Sequence, residues 1–427
     1  MGWLSSTFAT VILGTTLLGL VSGVIGSFAL LRRQSLLGDA LAHAALPGVC
    51  IAYLITGTKH PASMLIGAGV AGLVGALFIL LVVRGSRIKE DSALGIVLSV
   101  FFGVGVVLLT VIQKLPTGNQ AGLDHFLFGQ AATLLRRDVL VFSIVAVVVL
   151  ALVLLFYKEL KLLAFDRNFG AILGFPMRAL EIMLTLLLVV VVVVGLQTVG
   201  VILMIAALIT PAAAARQWTD RLGVMLAVSA TIGALSSAGG VMLSATIDRL
   251  PTGPTIVLLS GAALVCSIVL APNRGLLWAL VRSRRTALRI RRENLLKDLY
   301  RWGERQGDFS LKVSLPTLMG MRGQPGGQIA RTRRSLVRGD LVSQSGESVI
   351  LTERGRDAAA AIVRRHRLWE VYLHRRLELP ADHVHRDAEA MEHVLTDEMV
   401  ADFERLLGFP KVDPHGQEIP PAKANAR

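Results

Sequence analysis

The first 281 residues hold 17 Lys and Arg against 10 Asp and Glu, and these charges lie mostly between long apolar runs. The first charge is Arg32, so 31 uncharged residues precede it. A helix needs roughly 20 mostly apolar residues to cross a bilayer, and irregular backbone cannot face lipid. Such a pattern leaves little room for anything but a helical membrane bundle. Spans are expected at 8–31, 40–57, 62–83, 93–113, 138–157, 180–197, 199–215, 222–247 and 254–281, about nine in all. The stretch 180–215 also reads as one long helix with a re-entrant piece, because Gly195, Gly200 and Pro211 interrupt it. No basic region precedes the first apolar stretch, so it does not read as a cleavable signal.

The other 146 residues hold 27 Lys and Arg and 20 Asp and Glu, the charge density of a soluble domain. The boundary is a run from Arg282 to Arg292 with six arginines and no acid, the pattern of a juxtamembrane segment that meets anionic lipid. Two cysteines, Cys50 and Cys266, exclude a disulfide scaffold and a four-cysteine metal cluster. One alternation of loops collects Arg32, Arg33, Arg84, Arg87, Lys89, Lys158, Lys161, Arg167, Arg178, Arg216 and Arg221. The other collects Lys59, Lys114, Arg136, Arg137 and Arg249. The richer set belongs in the cytoplasm, and the charged tail, following an odd span, joins it there. Small residues at Gly67, Ala71 and Gly75 permit close helix approach.

Ionisable residues are costly within a span, so each needs a reason. Asp39 and His43 stand four apart and share one helical face. Carboxylate oxygen and imidazole nitrogen together suit Mn(II), Fe(II) or Zn(II), and do not suit Cu(I). A helix-start carboxylate bonded to His43 without any metal is the equally open alternative. Two ligands cannot complete a divalent shell, so waters, carbonyls or a second copy must finish it. Asp124 and His125, in the loop after the fourth span, read as solvated. The loop 161–178 mixes charge with a helical apolar pattern and reads as a short amphipathic helix able to dock on a soluble partner or lie on lipid. No G-x-x-x-x-G-K-[ST] motif occurs, so an ATP-driven step requires another subunit.

The stretch LLRRQSLLGDALAHAALPGV (30–49) resembles the signature region of the metal-ion permeases of the ABC-3 family. The likeness continues through AFDRNFGAILGFP (164–176), LQTVGVILMIAALITPAAAARQWTDRL (196–222) and LPTGPTIVLLSG (250–261). It implies a membrane subunit of a manganese, zinc or iron(II) importer. Its partners would be an ATP-binding subunit, an extracytoplasmic metal-binding protein and a second permease copy or homologue. It places Asp39 and His43 on the metal path, and Phe165, Asp166, Phe169, Gly170, Leu173 and Gly174 in the region that couples to the ATPase. The metal is substrate, and no catalytic cofactor or covalent chemistry is expected.

The tail resembles the metal-dependent repressors of the diphtheria-toxin-repressor class, through LLKDLYRWGER (295–305), VILTERGRDAAAAIVRRHRLWEVYL (349–373), VHRDAEAMEHVLTDEM (384–399) and DPHGQEIP (413–420). The likeness implies a winged-helix region over 295–356 and a helical metal-binding and dimerisation region over 357–420, after a basic linker at 282–294. His366 and Glu370 share a helical face, as do His385, Glu389, Glu392 and His393, and all six fall on ligand positions of that class. A glutamate at 389 leans to manganese. The class adds ligands from its first helix, whereas Asn294 and Lys297 stand here, and a lysine ammonium is no ligand. Arg331, Arg333 and Arg334 crowd the segment that would meet nucleic acid. The fold class expected is an all-α polytopic membrane protein with a small cytoplasmic winged-helix and helical metal-binding domain. The leading function is an importer permease, most readily for manganese, with a metal-sensing tail. A membrane-anchored metal-dependent transcription regulator is the alternative.

Overall fold

A computed structural model describes residues 6–58, 60–114, 134–322, 326–380 and 383–422. The chain divides into two units, between Ala279 and Leu280. The first unit is a helix bundle. Its long helices are α1 (Ser6–Leu31), α2 (Leu37–Thr56), α3 (Pro61–Gly85), α4 (Glu90–Gln113) and α5 (Arg136–Leu155). Two short helices follow, α6 (Tyr157–Phe165) and α7 (Arg167–Ile172). The bundle continues with α8 (Met177–Val199), α9 (Val201–Trp218), α10 (Leu222–Thr246) and α11 (Thr252–Leu270). Among the described residues eight helices have the length and hydropathy of a membrane span, namely α1 to α5, α8, α10 and α11.

The ninth expected segment, α9, is an 18-residue helix outside that group. Between α8 and α9, Gly200 takes φ 83° and ψ 170°, a conformation that ends one helix and turns the chain. Contacts at the helix ends set the direction of the return. Glu181 near the start of α8 meets Arg32 just after α1, and Ala212 and Ala215 near the end of α9 pack against Leu30 and Leu31. So α8 leaves this end of the bundle and α9 comes back to it.

The expected last span, 254–281, is corrected. The helix stops at Leu270, and a new helix, α12, begins at Leu276. Pro272 cannot extend the helical hydrogen-bond ladder, and Arg274 in the break reaches Asp220 at 2.6 Å. Asp220 also binds Arg216 at 2.8 Å, so Arg274 belongs at the same end as the close of α9.

The bundle core is built on α2, most of whose residues from Leu37 to Cys50 are buried. The stripe Gly67, Ala71 and Gly75 on α3 packs against it. A Cβ on Gly48 would stand 2.1 Å from the Gly67 carbonyl oxygen, so these backbones touch and only glycine fits. Ser229 of α10 donates to the Gly23 carbonyl of α1 at 2.7 Å, a hydrogen bond between two helices inside the bundle.

The second unit contains the part of α12 (Leu276–Gln306) from Leu280 on, then β1 (Val313–Ser314), α13 (Leu315–Arg322) and α14 (Gly326–Arg338). The hairpin β2 (Val342–Ser345) and β3 (Ser348–Leu351) completes a three-stranded antiparallel sheet of order β1-β3-β2. Register pairs Val313 with Val349 and Val342 with Leu351. Leu295, Leu299, Leu318, Ile329, Leu336 and Val349 form its core, a winged-helix arrangement. Then follow α15 (Glu353–Arg376), α16 (Val384–Met391) and α17 (Asp397–Leu407). Thr352 and Thr396 cap α15 and α17 by accepting from Gly355 and Met399 backbone N–H groups.

Candidate metal path, coupling segment and tail site

In the bundle, Asp39 and His43 fall in the first two turns of α2, the end that carries Arg32 and Arg33. His43 Nε2 lies 3.4 Å from Asp39 Oδ1, and their side chains are 15% and 22% exposed. The edge of the Phe102 ring, from α4, meets the His43 ring at a centroid distance of 4.7 Å. His43 Nδ1 is buried without a hydrogen-bond partner. An orphaned imidazole nitrogen is costly, and a cation passing this point would satisfy it. The pair therefore stands together and is mostly covered, at the mouth of a helix and not at its middle.

The coupling segment departs from the single amphipathic helix expected. It is an elbow of two short helices, α6 and α7. Asp166 at the corner accepts from the Phe169 backbone N–H at 2.9 Å and caps the second helix. Leu160 and Leu163 are buried in the bundle core. Phe165, Phe169, Ile172 and Leu173 stay exposed, Ile172 at 82%. Gly174 ends the knob at φ 85°, a left-handed position that glycine takes without strain. Four adjacent large apolar residues left exposed form a patch of the kind that a protein partner or lipid covers. Arg167 of α7 binds Glu181 of α8 at 3.0 Å, and Glu181 binds Arg32 as well. Glu181 is thus the joint between the knob and the signature region. Its separation of 149 residues from Arg32 hid the pair.

In the tail, α15, α16, the turn after α16 and α12 bring the expected ligands together. His366 Nε2 lies 3.1 Å from Glu370 Oε1, and His366 Nδ1 lies 2.5 Å from Glu392 Oε2. All three are buried. The expected helix through His393 stops at Met391; Glu392 and His393 occupy the following turn and still reach the cluster. His393 Nδ1 contacts Glu293 at 2.6 Å and its Nε2 contacts Asn294 at 3.2 Å. Glu293 is a partner the sequence reading missed. His385 lies on α16, its side chain outside the described residues, as are Asp124 and His125 entirely.

The donor set fits a divalent ion only in part. His366 and Glu370 present nitrogen and oxygen 3.1 Å apart. Around Glu392 a cation already stands: the ammonium of Lys297, fully buried, lies 2.6 Å from Glu392 Oε1 and 3.6 Å from Glu389 Oε1. Burial alone would push the Glu392 carboxyl up. The hydrogen bond from His366 and the charges of Lys297 and His366 outweigh it and hold the carboxyl below its usual range.

A second group, Glu370, Asp413 and His415, also draws its ligand atoms within 4.8 Å. It opens on a cavity of 320 Å³ that Arg301, Arg305 and Arg367 also line. Asp413 Oδ1 accepts from the backbone of His415 and Gln417, and its other oxygen faces Arg367 Nε at 3.4 Å. That aspartate shapes a turn and neutralises an arginine. On α14, Arg331 and Arg334 are exposed, and Arg333 is half-buried with Nε and Nη1 lacking partners.

Residues 5–271 match the ABC 3 transport family, and residues 352–421 match the iron-dependent repressor metal-binding and dimerisation domain. The chain is 56% identical over 283 residues to the zinc transport system membrane protein TroC of Treponema pallidum, covering 66% of this chain and 95% of that one. It is 44% identical over 370 residues to the manganese transport system membrane protein MntC of Bacillus subtilis, covering 86% and 84%. A chain of the solved PsaBC complex of Streptococcus pneumoniae with Fab is similar at TM-score 0.56 and 33% identity, over 64% of this chain and 95% of that one. The acid–imidazole pair, the polytopic bundle that carries it and these matches lead to one conclusion: the chain belongs to the ABC 3 transport family, as a multi-pass membrane protein carrying a repressor-like C-terminal domain.

Proposed function

We propose that this protein is the membrane-spanning subunit of an ATP-driven Mn(II) importer in the cell (inner) membrane. The supporting observation is the Asp39–His43 pair with its orphaned Nδ1. A carboxylate and an imidazole hold Mn(II) by oxygen and nitrogen, and they bind it weakly enough, as two ligands, to release it. The manganese relative that covers 86% of the chain favours this cargo. Zn(II) is the second reading, favoured by the 56% identity to a zinc-system protein. No covalent chemistry falls to this chain. Its apolar knob docks in a groove of an ATP-binding subunit, and Arg167, Glu181 and Arg32 carry that subunit's movement to the turn before α2. An extracytoplasmic metal-binding protein delivers the ion, and a second permease copy or homologue completes the conduit.

The tail lies in the cytoplasm. Arg274, in the break before α12, adds a positive charge to the richer set of loops, and the return of α9 keeps the parity odd. There it senses metal through His366 and Glu370. The exposed Arg331 and Arg334 favour the alternative, a membrane-anchored regulator that binds DNA. Metal uptake by cells bearing Asp39→Ala with His43→Ala tests the cargo path. Uptake should fall to background while the protein stays in the membrane; normal uptake would remove the ligand role. A gel-shift with the full chain in detergent, with and without Mn(II), tests the alternative, which tight metal-dependent binding to one DNA sequence would support.

A further inference from the structure

Within the tail, Lys297 is the anomaly. It comes from α12 and reaches the cluster across 95 residues of sequence. It shows no exposed surface, and neither does Glu392. A buried ammonium persists only when paired and hydrogen-bonded, and here its partners belong to the set that ought to hold a divalent ion. Nζ sits 2.6 Å from Glu392 Oε1 and 3.6 Å from Glu389 Oε1. His393 Nε2 is 3.5 Å from that same Glu392 oxygen. Glu392's second oxygen is taken by His366. A divalent ion bound between Glu389 and Glu392 would share this space with Nζ, and two cations that close repel strongly.

We infer that the Lys297 ammonium occupies the cation seat between Glu389 and Glu392, as a covalently attached substitute for a metal ion. This deepens the proposed sensing role of the tail and rests on it. The tail keeps α12 tied to Glu389 and to the turn after α16 at all metal levels. Metal response is confined to the His366–Glu370 side. A lysine cannot be chelated away, so this tie is permanent structure.

The test counts Mn(II) by elemental analysis on the full chain in lipid nanodiscs. All chains carry Asp39→Ala and His43→Ala, to remove ions held by the bundle pair. In the chain with Lys297, Glu389→Gln should leave the Mn(II) count unchanged. Lys297→Glu should add one Mn(II) per chain, and Glu392→Gln in that background should remove it. Loss of Mn(II) on Glu389→Gln in the Lys297 chain would overturn the inference. So would a Lys297→Glu chain that keeps its protease-resistant tail and gains no ion. If Lys297→Glu fails to fold, Glu389→Gln in the Lys297 chain decides alone. The sensing role is read separately: His366→Ala should lower the count in the Lys297 chain, and an unchanged count there would end the sensing role while leaving the Lys297 result standing.

Discussion

Arg32 and Glu181 form an ion pair within the helix bundle, joining the end of α1 to the start of α8. Their side chains are 8% and 14% exposed, and Glu181 holds Arg167 of the docking knob with its other oxygen. A partner removed from such a pair leaves an uncompensated charge, at a cost of about 3–5 kcal/mol. Glu181→Gln should therefore lower the thermal stability of the bundle in detergent and reduce metal uptake several-fold. Arg32→Met combined with Glu181→Leu should be less damaging to stability than Glu181→Leu alone. Equal losses would mean that the pair carries no coupling.

The knob at Phe165, Phe169, Ile172 and Leu173 is exposed, so replacing it should not disturb the bundle. Phe169→Ser with Ile172→Ser should leave thermal stability within about 0.5 kcal/mol, as for surface changes generally. Co-purification of the ATP-binding subunit should be lost. Retained co-purification would place the docking site elsewhere.

Gly48 and Gly67 bring α2 and α3 into backbone contact. A side chain at either position must push the helices apart, and overpacking costs on the order of 1–3 kcal/mol. Gly67→Leu should lower the midpoint of detergent unfolding, whereas Gly69→Leu, which meets nothing within 4 Å, should not.

Tyr300 in the tail has its hydroxyl pushed above the usual tyrosine range, first by burial and then by the negative charge of Glu304; Arg356 and Arg367 pull the other way. A folded-state value above the unfolded one means stability that is full below about pH 10 and is lost as pH rises through the folded value. Unfolding of the tail, followed by its protease resistance, should steepen above that pH. Tyr300→Phe should flatten the dependence; an identical slope would assign it to other groups.

Local signals carried much of this protein in its sequence. Hydropathy marks a span without reference to any partner, because lipid is the partner. The eight span-grade helices therefore fall close to the apolar runs. Charge density separates the two units within a few residues of Ala279, because a soluble domain must cover its core with charged side chains. The Asp39–His43 spacing was legible because a helix turn brings positions four apart together. Other features depend on contacts between distant segments. The stop at Leu270 is stabilised by Arg274 meeting Asp220, and the elbow at Asp166 by side chains that anchor one helix in the core and leave the next exposed. Lys297 was visible in the sequence as a residue that cannot ligate a metal. That its ammonium reaches Glu389 and Glu392 was decided by the fold, which brings α12 beside α16 and the turn after it, although Lys297 and Glu392 stand 95 residues apart in sequence.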